Sequence, residues 1–264
     1  LALLISPATS YAAFPGTNGK IAFESNRDGS FGQIYVIDPD GTDLTRLTFT
    51  AAHDSYPVWS PDGTKIVFQS TRSGDVDIYV MNADGTNQTQ LTTDPAVDNA
   101  ATWSPDGTKI VFGSQRSGAE DIYVMNADGT GQTQLTTDPA IDTQPDWSPD
   151  GTKIVFESDR SGSRQIFVMN SDGTNVIQFT TLFSNGGATW SPDGTRIAFH
   201  SNRDCSGCGT YFDIYVMNAD GTGQTRLAND PVYATEPAWS PDGTKIAFDS
   251  QRDGNYEVYI MNAD

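Results

Sequence analysis

A pattern of apolar and polar positions that returns five times along the chain predicts repeated short strands. In each copy a Trp is followed by the polar stretch SPDGT, and a Lys or Arg six residues after the Trp opens a stretch that reads KIVF, RIAF or KIAF. In the first full copy Ile66 and Phe68 fall on one side of the predicted strand, and Val67 falls on the other. Because both sides are apolar, we expect the strand to lie in a sheet that is packed on both faces.

Two tight turns divide each copy into four predicted strands. In the SPDG turn Pro61 presets φ and Gly63 tolerates a positive φ. NADG forms a second turn after the apolar strand IYVMN, and the polar stretch TNQTQLTT that follows is typical of an outer edge strand. The Asp of the SPDG turn recurs in every copy, so we interpret it as a turn residue and not as a catalytic acid or metal ligand. These turn residues are Asp62, Asp106, Asp150, Asp193 and Asp242.

The spacing of the copies predicts the architecture. The repeated Trp residues lie 43 to 49 residues apart, and a degenerate sixth copy begins at Phe14, six residues before Lys20 opens KIAF. Four short antiparallel strands at this period describe one blade of a β-propeller. We therefore predict an all-β fold, a six-bladed β-propeller of four-stranded antiparallel blades that occupies residues 13–264. The blades are predicted to start near Phe14, Trp59, Trp103, Trp147, Trp190 and Trp239.

The repeat also resembles that of a known family. The stretch WSPDGTKIVFQSTRSGDVDIYVMNADGTNQTQLT and its other copies are similar to the TolB-type propeller repeat, and the similarity covers residues 14–264. The resemblance implies six blades and a role in protein–protein contacts in the periplasm or cell envelope. It implies no partner-binding residue, because the matching positions belong to the scaffold. TolB-like propellers also occur fused to serine peptidases, so a peptidase domain beyond Asp264 is an alternative.

Charge and the first residues narrow the function classes. The chain has 15 Lys and Arg against 34 Asp and Glu, a net charge of −19, which argues against nucleic acid because phosphate binding needs clustered basic residues. No apolar run is long enough to cross a bilayer. The segment 1–12 resembles the end of a secretory signal peptide cleaved after Ala12, which predicts export to the periplasm, cell envelope or extracellular space. Alternatively, residues 2–5 pair beside the last predicted strand, EVYIMN, and close the ring.

The segments that lead from one copy to the next vary far more than the repeat itself, which marks them as places where function is added to a regular scaffold. Propeller geometry puts them on one face, beside the central channel. Five residues before the Trp, four of five copies carry a side-chain oxygen, at Asp54, Asp98, Asp142 and Asn185. We predict that these residues ring the channel mouth, where a hard cation such as Ca²⁺ or Mg²⁺ accepts oxygen ligands. The alternative is that each one caps its own loop.

Further side chains on the same face are candidates for a binding patch, because each is unique to its copy. They are His53, Tyr56, Asn99, Tyr233 and Glu236. We expect this patch to bind a protein, a glycan or another small ligand.

One Arg follows the second predicted strand in every copy. Six equivalent Arg residues form either a binding ring or the same hydrogen bonds or ion pair, each within its own blade or to the neighbouring blade, and their repetition favours the second interpretation. The six are Arg27, Arg72, Arg116, Arg160, Arg203 and Arg252.

Cys205 and Cys208 stand in an insertion of the fifth copy, in the motif CSGC. In an exported protein this spacing predicts a local disulfide. Because the closed loop is short, the bond adds little stability to the whole fold.

The motifs of common enzymes are absent. The sequence contains no G-x-S-x-G elbow, no H-E-x-x-H and no phosphate-binding Gly loop. We therefore predict an exported, non-catalytic interaction module. The alternative is a carbohydrate-active lyase or hydrolase, since the many carboxylates allow a catalytic pair.

Overall fold

The computed structural model describes residues 19–204, 211–227, 233–254 and 256–264. These residues form six antiparallel sheets in which strands that are consecutive in the chain are neighbours. Two consequences of the local sequence are visible in the repeated blades. The SPDG and NADG turns bend the chain where Gly adopts a positive φ, as at Gly63 and Gly85, and the β-branched and aromatic residues between the turns form the strands.

The strands of the first three blades are as follows. Blade 1 contains β1 (Ile21–Ser25), β2 (Gln33–Ile37) and β3 (Thr45–Arg46). Blade 2 contains β4 (Asp54–Trp59), β5 (Lys65–Ser70), β6 (Asp77–Asn82) and β7 (Thr89–Gln90). Blade 3 contains β8 (Asp98–Trp103), β9 (Lys109–Ser114), β10 (Asp121–Asn126) and β11 (Thr133–Gln134).

The strands of the last three blades repeat this order. Blade 4 contains β12 (Asp142–Trp147), β13 (Lys153–Ser158), β14 (Gln165–Asn170) and β15 (Ile177–Gln178). Blade 5 contains β16 (Asn185–Trp190), β17 (Arg196–Ser201), β18 (Asp213–Asn218) and β19 (Thr225–Arg226). Blade 6 contains β20 (Ala234–Trp239), β21 (Lys245–Ser250) and β22 (Glu257–Asn262).

The six blades close into a ring. The innermost strand of each blade packs against that of the next, from β4 through β8, β12 and β16 to β20. Val258 of blade 6 packs against Phe23 and Tyr35 of blade 1, which joins the last blade to the first. The predicted all-β, six-bladed propeller is thus confirmed, with fourth strands that are only two residues long.

The hydrophobic core lies between blades and not within one sheet. Trp103 of blade 3 is buried among Val58, Val67 and Ile78 of blade 2, and its indole N–H donates to the backbone carbonyl of Val58 at 3.3 Å. Because both faces of each sheet contact a neighbouring blade, the second strands are apolar on both sides, as the sequence pattern predicts. Each repeat therefore depends on the next for burial.

A glycine at the second turn of blades 2 to 5 permits the blades to approach closely. Gly129 has a φ of 87°, and a Cβ atom at this position would lie 2.8 Å from the backbone oxygen of Leu91 in the preceding blade. Gly118 is the matched control, because its φ is 116° and no atom lies within 4 Å of its Cβ position.

We expect Gly129→Ala to destabilise the propeller more than Gly118→Ala does. Both variants place Ala at a positive φ, which costs about 1–2 kcal/mol, but only Gly129→Ala pushes against rigid backbone, for about 1–3 kcal/mol more. Equilibrium unfolding in urea measures the difference. Equal losses in the two variants would mean that the blades do not need this close contact.

Three predictions fall outside the described residues. They are the signal-peptide remnant within residues 1–12, the pairing of residues 2–5 beside β22, and the disulfide between Cys205 and Cys208. Within the described ranges, the structure contains no helix of sufficient length and hydrophobicity to cross a membrane.

Candidate binding face at the channel mouth

A β-bulge in the innermost strand of blades 2 to 6 turns one side chain into the central channel. In blade 2 the register shifts between Ser55 and Val58, and the other four blades shift at the equivalent positions. The bulged residue has a positive φ of 50–60° in all five, a conformation that re-aims a side chain. The five bulged residues are Tyr56, Ala100, Gln144, Gly187 and Glu236.

These bulged positions face one another across the ring. Gln144 of blade 4 approaches both carboxylate oxygens of Glu236 in blade 6, with its Nε2 at 3.4 Å from each. Blades 4 and 6 are not neighbours, so this contact crosses the channel. The channel is therefore lined by side chains that differ from blade to blade.

A second set of variable residues lies behind the bulges, at the same position of each second strand. Gln69 accepts the backbone N–H of Ala100 in the next blade at 3.2 Å, and Glu157 accepts that of Gly187 at 2.5 Å. In this way the second strand of one blade holds the bulge of the next. The set comprises Glu24, Gln69, Gly113, Glu157, His200 and Asp249.

A cleft of about 300 Å³ opens at the channel mouth between blades 1 and 2. His53 Nε2 lies 2.8 Å from Glu24 Oε1 at its wall, and Tyr56 and Thr71 also line it. Gly32 makes room for the His53–Glu24 pair, since a Cβ at this position would lie 2.2 Å from Glu24 Oε1. The cleft thus combines the hydrogen-bonded His53–Glu24 pair with the aromatic ring of Tyr56.

Several carboxylates make the channel electrostatically negative. The pKa of Tyr56 is raised, first by burial and then by the charges of Glu236, Glu24, Asp249 and Glu157. Burial also raises the pKa of Glu157 to about 7, and the charge of Glu236 adds to the effect. Four carboxylates thus lie near Tyr56, and that of Glu236 also lies near Glu157, an arrangement that favours cationic groups of a ligand.

The histidine behind the bulge of Glu236 stays neutral at physiological pH. Burial lowers the pKa of His200 to about 3, and the positive charge of Arg164 adds to the effect. Its Nδ1 accepts the backbone N–H of Glu236 at 3.4 Å, and its ring packs edge-on against Phe212. His200 is thus a packed acceptor and does not add a positive charge to the channel.

The four oxygen-bearing residues predicted to bind a cation are instead paired with arginines. Each lies fully buried at the start of its innermost strand. Arg72 donates to Asp54 at 2.8 Å, and Arg116 and Arg160 bond Asp98 and Asp142 at 2.9 and 2.7 Å. In blade 5 Arg203 donates to the amide oxygen of Asn185 at 2.9 Å.

This pairing decides between the interpretations of both residue types. The expectation that each Arg makes the same structural contact, in its own blade or to its neighbour, is met in blades 2 to 5, and the structure places that contact within the blade. Each Arg also stacks over two aromatic rings of its blade, as Arg116 does over Phe112 and Tyr123. The predicted Ca²⁺ or Mg²⁺ site is not formed by Asp54, Asp98, Asp142 and Asn185, because their oxygens are directed at guanidinium groups. Across the part of the chain that the structure describes, no group of three or more His, Cys, Asp and Glu residues could hold a metal ion.

The predicted binding patch lies on the expected face but is not one continuous cluster. His53 and Tyr56 lie together in the cleft, and Glu236 joins them through the channel. Tyr233 lies elsewhere on the rim, where its ring packs against Tyr211 and Phe212 at 5.7 and 6.0 Å. Asn99 is half-buried, and its side-chain oxygen lies inside, beside Gly113.

Sequence reasoning missed the channel carboxylates of the second strands. Glu24, Glu157 and Asp249 follow the repeated apolar stretch at a position that reads E, Q, G, E, H and D in the six copies. This variation inside an otherwise constant strand is the signal that identifies them.

The repeats that form the six blades match a known protein family. The sequence profile of the TolB beta propeller domain matches residues 6–99, 53–134, 95–204 and 181–264. The chain belongs to the TolB beta propeller domain family. The TolB-like repeats observed in the sequence are thus the blades of the structure.

Relatives of this TolB-like propeller are longer proteins. A protein TolB homolog of Chlorobium luteolum is 38% identical over 66 residues, which cover 24% of this chain and 14% of the relative. The crystal structure of TolB from Acinetobacter baumannii matches with a TM-score of 0.80 and 23% identity, over 98% of this chain and 61% of that chain. This TolB-like chain therefore spans less than two thirds of the length of those proteins.

The same fold carries other activities. An oligogalacturonate lyase from Vibrio parahaemolyticus matches the TolB-like propeller with a TM-score of 0.66 and 14% identity, over 98% of this chain and 91% of that chain. At these identities the structural matches show the fold alone.

Proposed function

We propose that this TolB-like propeller is an exported, non-catalytic interaction module that binds a partner protein at its channel-mouth face. This face consists of the loops between second and third strands and the connections between blades. The opposite face, which we call the turn face, consists of the SPDG and NADG turns. Membership in the TolB beta propeller domain family supports a role in protein contacts and a periplasmic location.

One observation carries the proposal: the side chains that differ between blades are concentrated on the channel-mouth face. The turn face repeats even its hydrogen bonds, since Ser60, Ser104 and Ser148 each donate to the Asp two residues later at 2.6 Å. The channel mouth instead presents Tyr, Ala, Gln, Gly and Glu at one equivalent position. A surface that is individual in every blade is suited to specific recognition, whereas a repeated one serves the scaffold.

The carbohydrate-active alternative requires two carboxylates that both reach a bound sugar. Glu157 and Glu236 influence each other, but Glu157 is only 1% exposed. Its two oxygens accept the N–H of Gly187 and a guanidinium N–H of Arg164. The geometry therefore favours binding over chemistry.

Site-directed photo-crosslinking tests the proposal. We expect a photoreactive phenylalanine analogue at Thr71 or Ile141, both exposed at the channel mouth, to form a discrete covalent adduct in cells that make the protein. The same analogue at Lys65 or Lys109, exposed on the turn face, is the matched control. Mass spectrometry identifies the adduct. Adducts formed only from the turn face would overturn the proposal.

A further inference from the structure

Exposed apolar side chains gather on the channel-mouth face. Six of the ten large exposed hydrophobic residues in the described ranges lie in its loops, and the other four lie on or beside outermost strands. Apolar side chains gathered on one face mark an interaction surface. The six are Phe31, Phe49, Ile141, Leu182, Phe183 and Tyr211.

The most exposed of them belong to two connections that differ from the rest. Phe49 is 73% exposed in the connection after blade 1, and Leu182 is 68% exposed in the connection after blade 4. The connections after blades 2, 3 and 5 contain an Asp-Pro pair, and these two do not. In the connections after blades 2 and 3 this Asp accepts a backbone N–H of its own loop, as Asp94 does from Ala96 at 3.0 Å and Asp138 from Ala140 at 3.1 Å.

The same two blades also differ at the start of the third strand. Blades 2 and 3 begin this strand with Asp77 and Asp121, which accept hydrogen bonds from Ser, Thr and Gln side chains. Blades 1 and 4 begin it with Gln33 and Gln165. Blades 1 and 4 thus differ from blades 2 and 3 at two separate places, in the first residue of the third strand and in the connection to the next blade.

The buried side chains of the two glutamines form hydrogen bonds to the connections that follow their blades. Gln33 donates to the carbonyl of Ala52 at 2.8 Å and accepts the N–H of Thr50 at 3.0 Å. Gln165 donates to the carbonyl of Phe183 at 2.7 Å and accepts from the amide of Asn185 at 2.9 Å. These bonds satisfy several backbone groups of the two connections, and the side chains of Phe49 and Leu182 remain largely exposed, with the Arg46 guanidinium 4.8 Å from the centroid of the Phe49 ring. Such a loop is ordered before binding, which reduces the entropy lost when a partner docks.

Backbone strain supports a functional role for the second connection. Phe183 has a φ of 65°, a conformation that bulky residues rarely adopt. The side chains of Ser163 and Gln165 donate hydrogen bonds to its carbonyl oxygen at 3.1 and 2.7 Å, and that of Asn185 donates to the carbonyl oxygen of Leu182 at 2.9 Å. Strain that is maintained by several surrounding hydrogen bonds occurs preferentially at functional positions.

The two connections lie on opposite sides of an acidic channel. Blades 1 and 4 are three positions apart in a ring of six. Between them lies the half-buried carboxylate of Glu236, with the buried carboxylates of Glu24, Glu157 and Asp249 around it. We propose that Phe49 and the Leu182–Phe183 pair are two apolar anchors for one extended segment of a partner protein. This segment crosses the channel mouth, with apolar residues on both anchors and a basic residue above the carboxylates. The inference rests on the proposed function and specifies its partner.

Charge identifies the occupant as another protein. A second copy of this chain would bring a net charge of −19 to the same acidic surface, and like charges repel. A segment with basic and apolar residues complements both features of the face.

Peptides selected from a displayed library of random linear sequences, with the whole chain as target, test the inference. We expect apolar–basic–apolar sequences, and fluorescence anisotropy should show that Phe49→Ala and Leu182→Ala each weaken their binding about thirtyfold. Because the two sites are well separated, the losses should multiply in the double variant. Glu236→Gln should also weaken binding and reduce its dependence on salt. Ile177→Ala is the matched control, since Ile177 is 47% exposed on an outermost strand.

The possible outcomes separate the two proposals. Peptides that lose affinity with Glu236→Gln but not with Phe49→Ala or Leu182→Ala would overturn the anchors and leave the channel-mouth function standing. Sensitivity to one anchor alone would overturn the bridging arrangement. Peptides that respond to none of these changes, or no selected peptide, would overturn both proposals. Because Phe49, Leu182 and Ile177 are exposed and Gln matches the size of the half-buried Glu236, the variants should fold, and their circular dichroism spectra check this.

Discussion

Asp146→Asn is expected to stabilise the propeller strongly at pH 8 and only weakly at pH 4. Asp146 is fully buried in the innermost strand of blade 4. Its Oδ2 accepts the hydroxyl of Thr189 and the backbone N–H of Trp190 in blade 5, both at 3.0 Å. Within the described residues its Oδ1 has no hydrogen-bond partner. Burial raises the pKa of this carboxyl to about 7 from its ordinary 3.8.

The raised pKa determines the direction of the pH dependence. Asp146 binds its proton more tightly in the folded state, so its contribution to stability is fully present below the unfolded pKa and is lost as the pH rises towards 7. The charged form costs about 4 kcal/mol at pH 8, at about 1.4 kcal/mol for each unit of pKa. Asn mimics the neutral acid and avoids this cost at every pH.

Urea unfolding of both proteins at pH 4, 6 and 8 measures the effect. The stability difference between variant and natural protein should grow by about 4 kcal/mol from pH 4 to pH 8. Asp62→Asn is the control, because hydrogen bonds from Ser60 and Thr64 lower the pKa of that exposed turn residue. Its variant should lose stability relative to the natural protein as the pH rises, the opposite direction. A difference for Asp146→Asn that is the same at all three pH values would contradict the raised pKa.

Arg116→Met is expected to destabilise the propeller much more than Arg203→Met. The two arginines occupy equivalent positions, and each stacks over two rings of its blade. Arg116 pairs with the buried carboxylate of Asp98, whereas Arg203 bonds the neutral amide of Asn185. Removing the cation leaves an uncompensated buried charge only in blade 3, which costs about 3–5 kcal/mol.

The difference in stability loss between Arg116→Met and Arg203→Met should be smaller at low pH. Burial already raises the pKa of Asp98, and loss of the Arg116 charge raises it further, so protonation in acid relieves the unpaired charge. Urea unfolding at pH 7 and pH 4 should show a penalty for Arg116→Met that shrinks at pH 4, and a penalty for Arg203→Met that stays constant. Adding Asp98→Asn should restore part of the stability at pH 7. Similar losses in the two single variants at both pH values would mean that stacking, and not charge, gives the arginines their role.

The turns, strands and blades of the scaffold could be predicted from the sequence, because they depend on local chemistry. Pro61 and Gly63 specify a turn whatever surrounds them, because their effects on φ belong to the residue itself. Apolar residues on both sides of Lys65–Ser70 require a covered sheet. Repetition of these signals at a constant period was therefore sufficient for six blades. The structural role of the arginines was also predictable from their repetition, but only the structure decided that each contact lies within one blade.

The arrangement of side chains on the binding face could not be predicted, because it depends on which residues become neighbours in the folded chain. Asp54, Asp98 and Asp142 have the residue types of a cation site, but their burial beneath arginines directs their oxygens elsewhere. The position of Glu157 behind the bulge of Gly187 could be placed only once the packing of adjacent blades was known.

The sequence by itself determined the repeat, the turns and the blade, because these depend on interactions within about 44 residues of chain. Only the tertiary structure decided which side chains meet at the channel. Ring closure brings Gln144 to Glu236 and Glu24 to His53, and it places Phe49 and Leu182 on opposite sides of one acidic opening. Those contacts join residues of different blades, and a pattern that repeats within each blade contains no information about them.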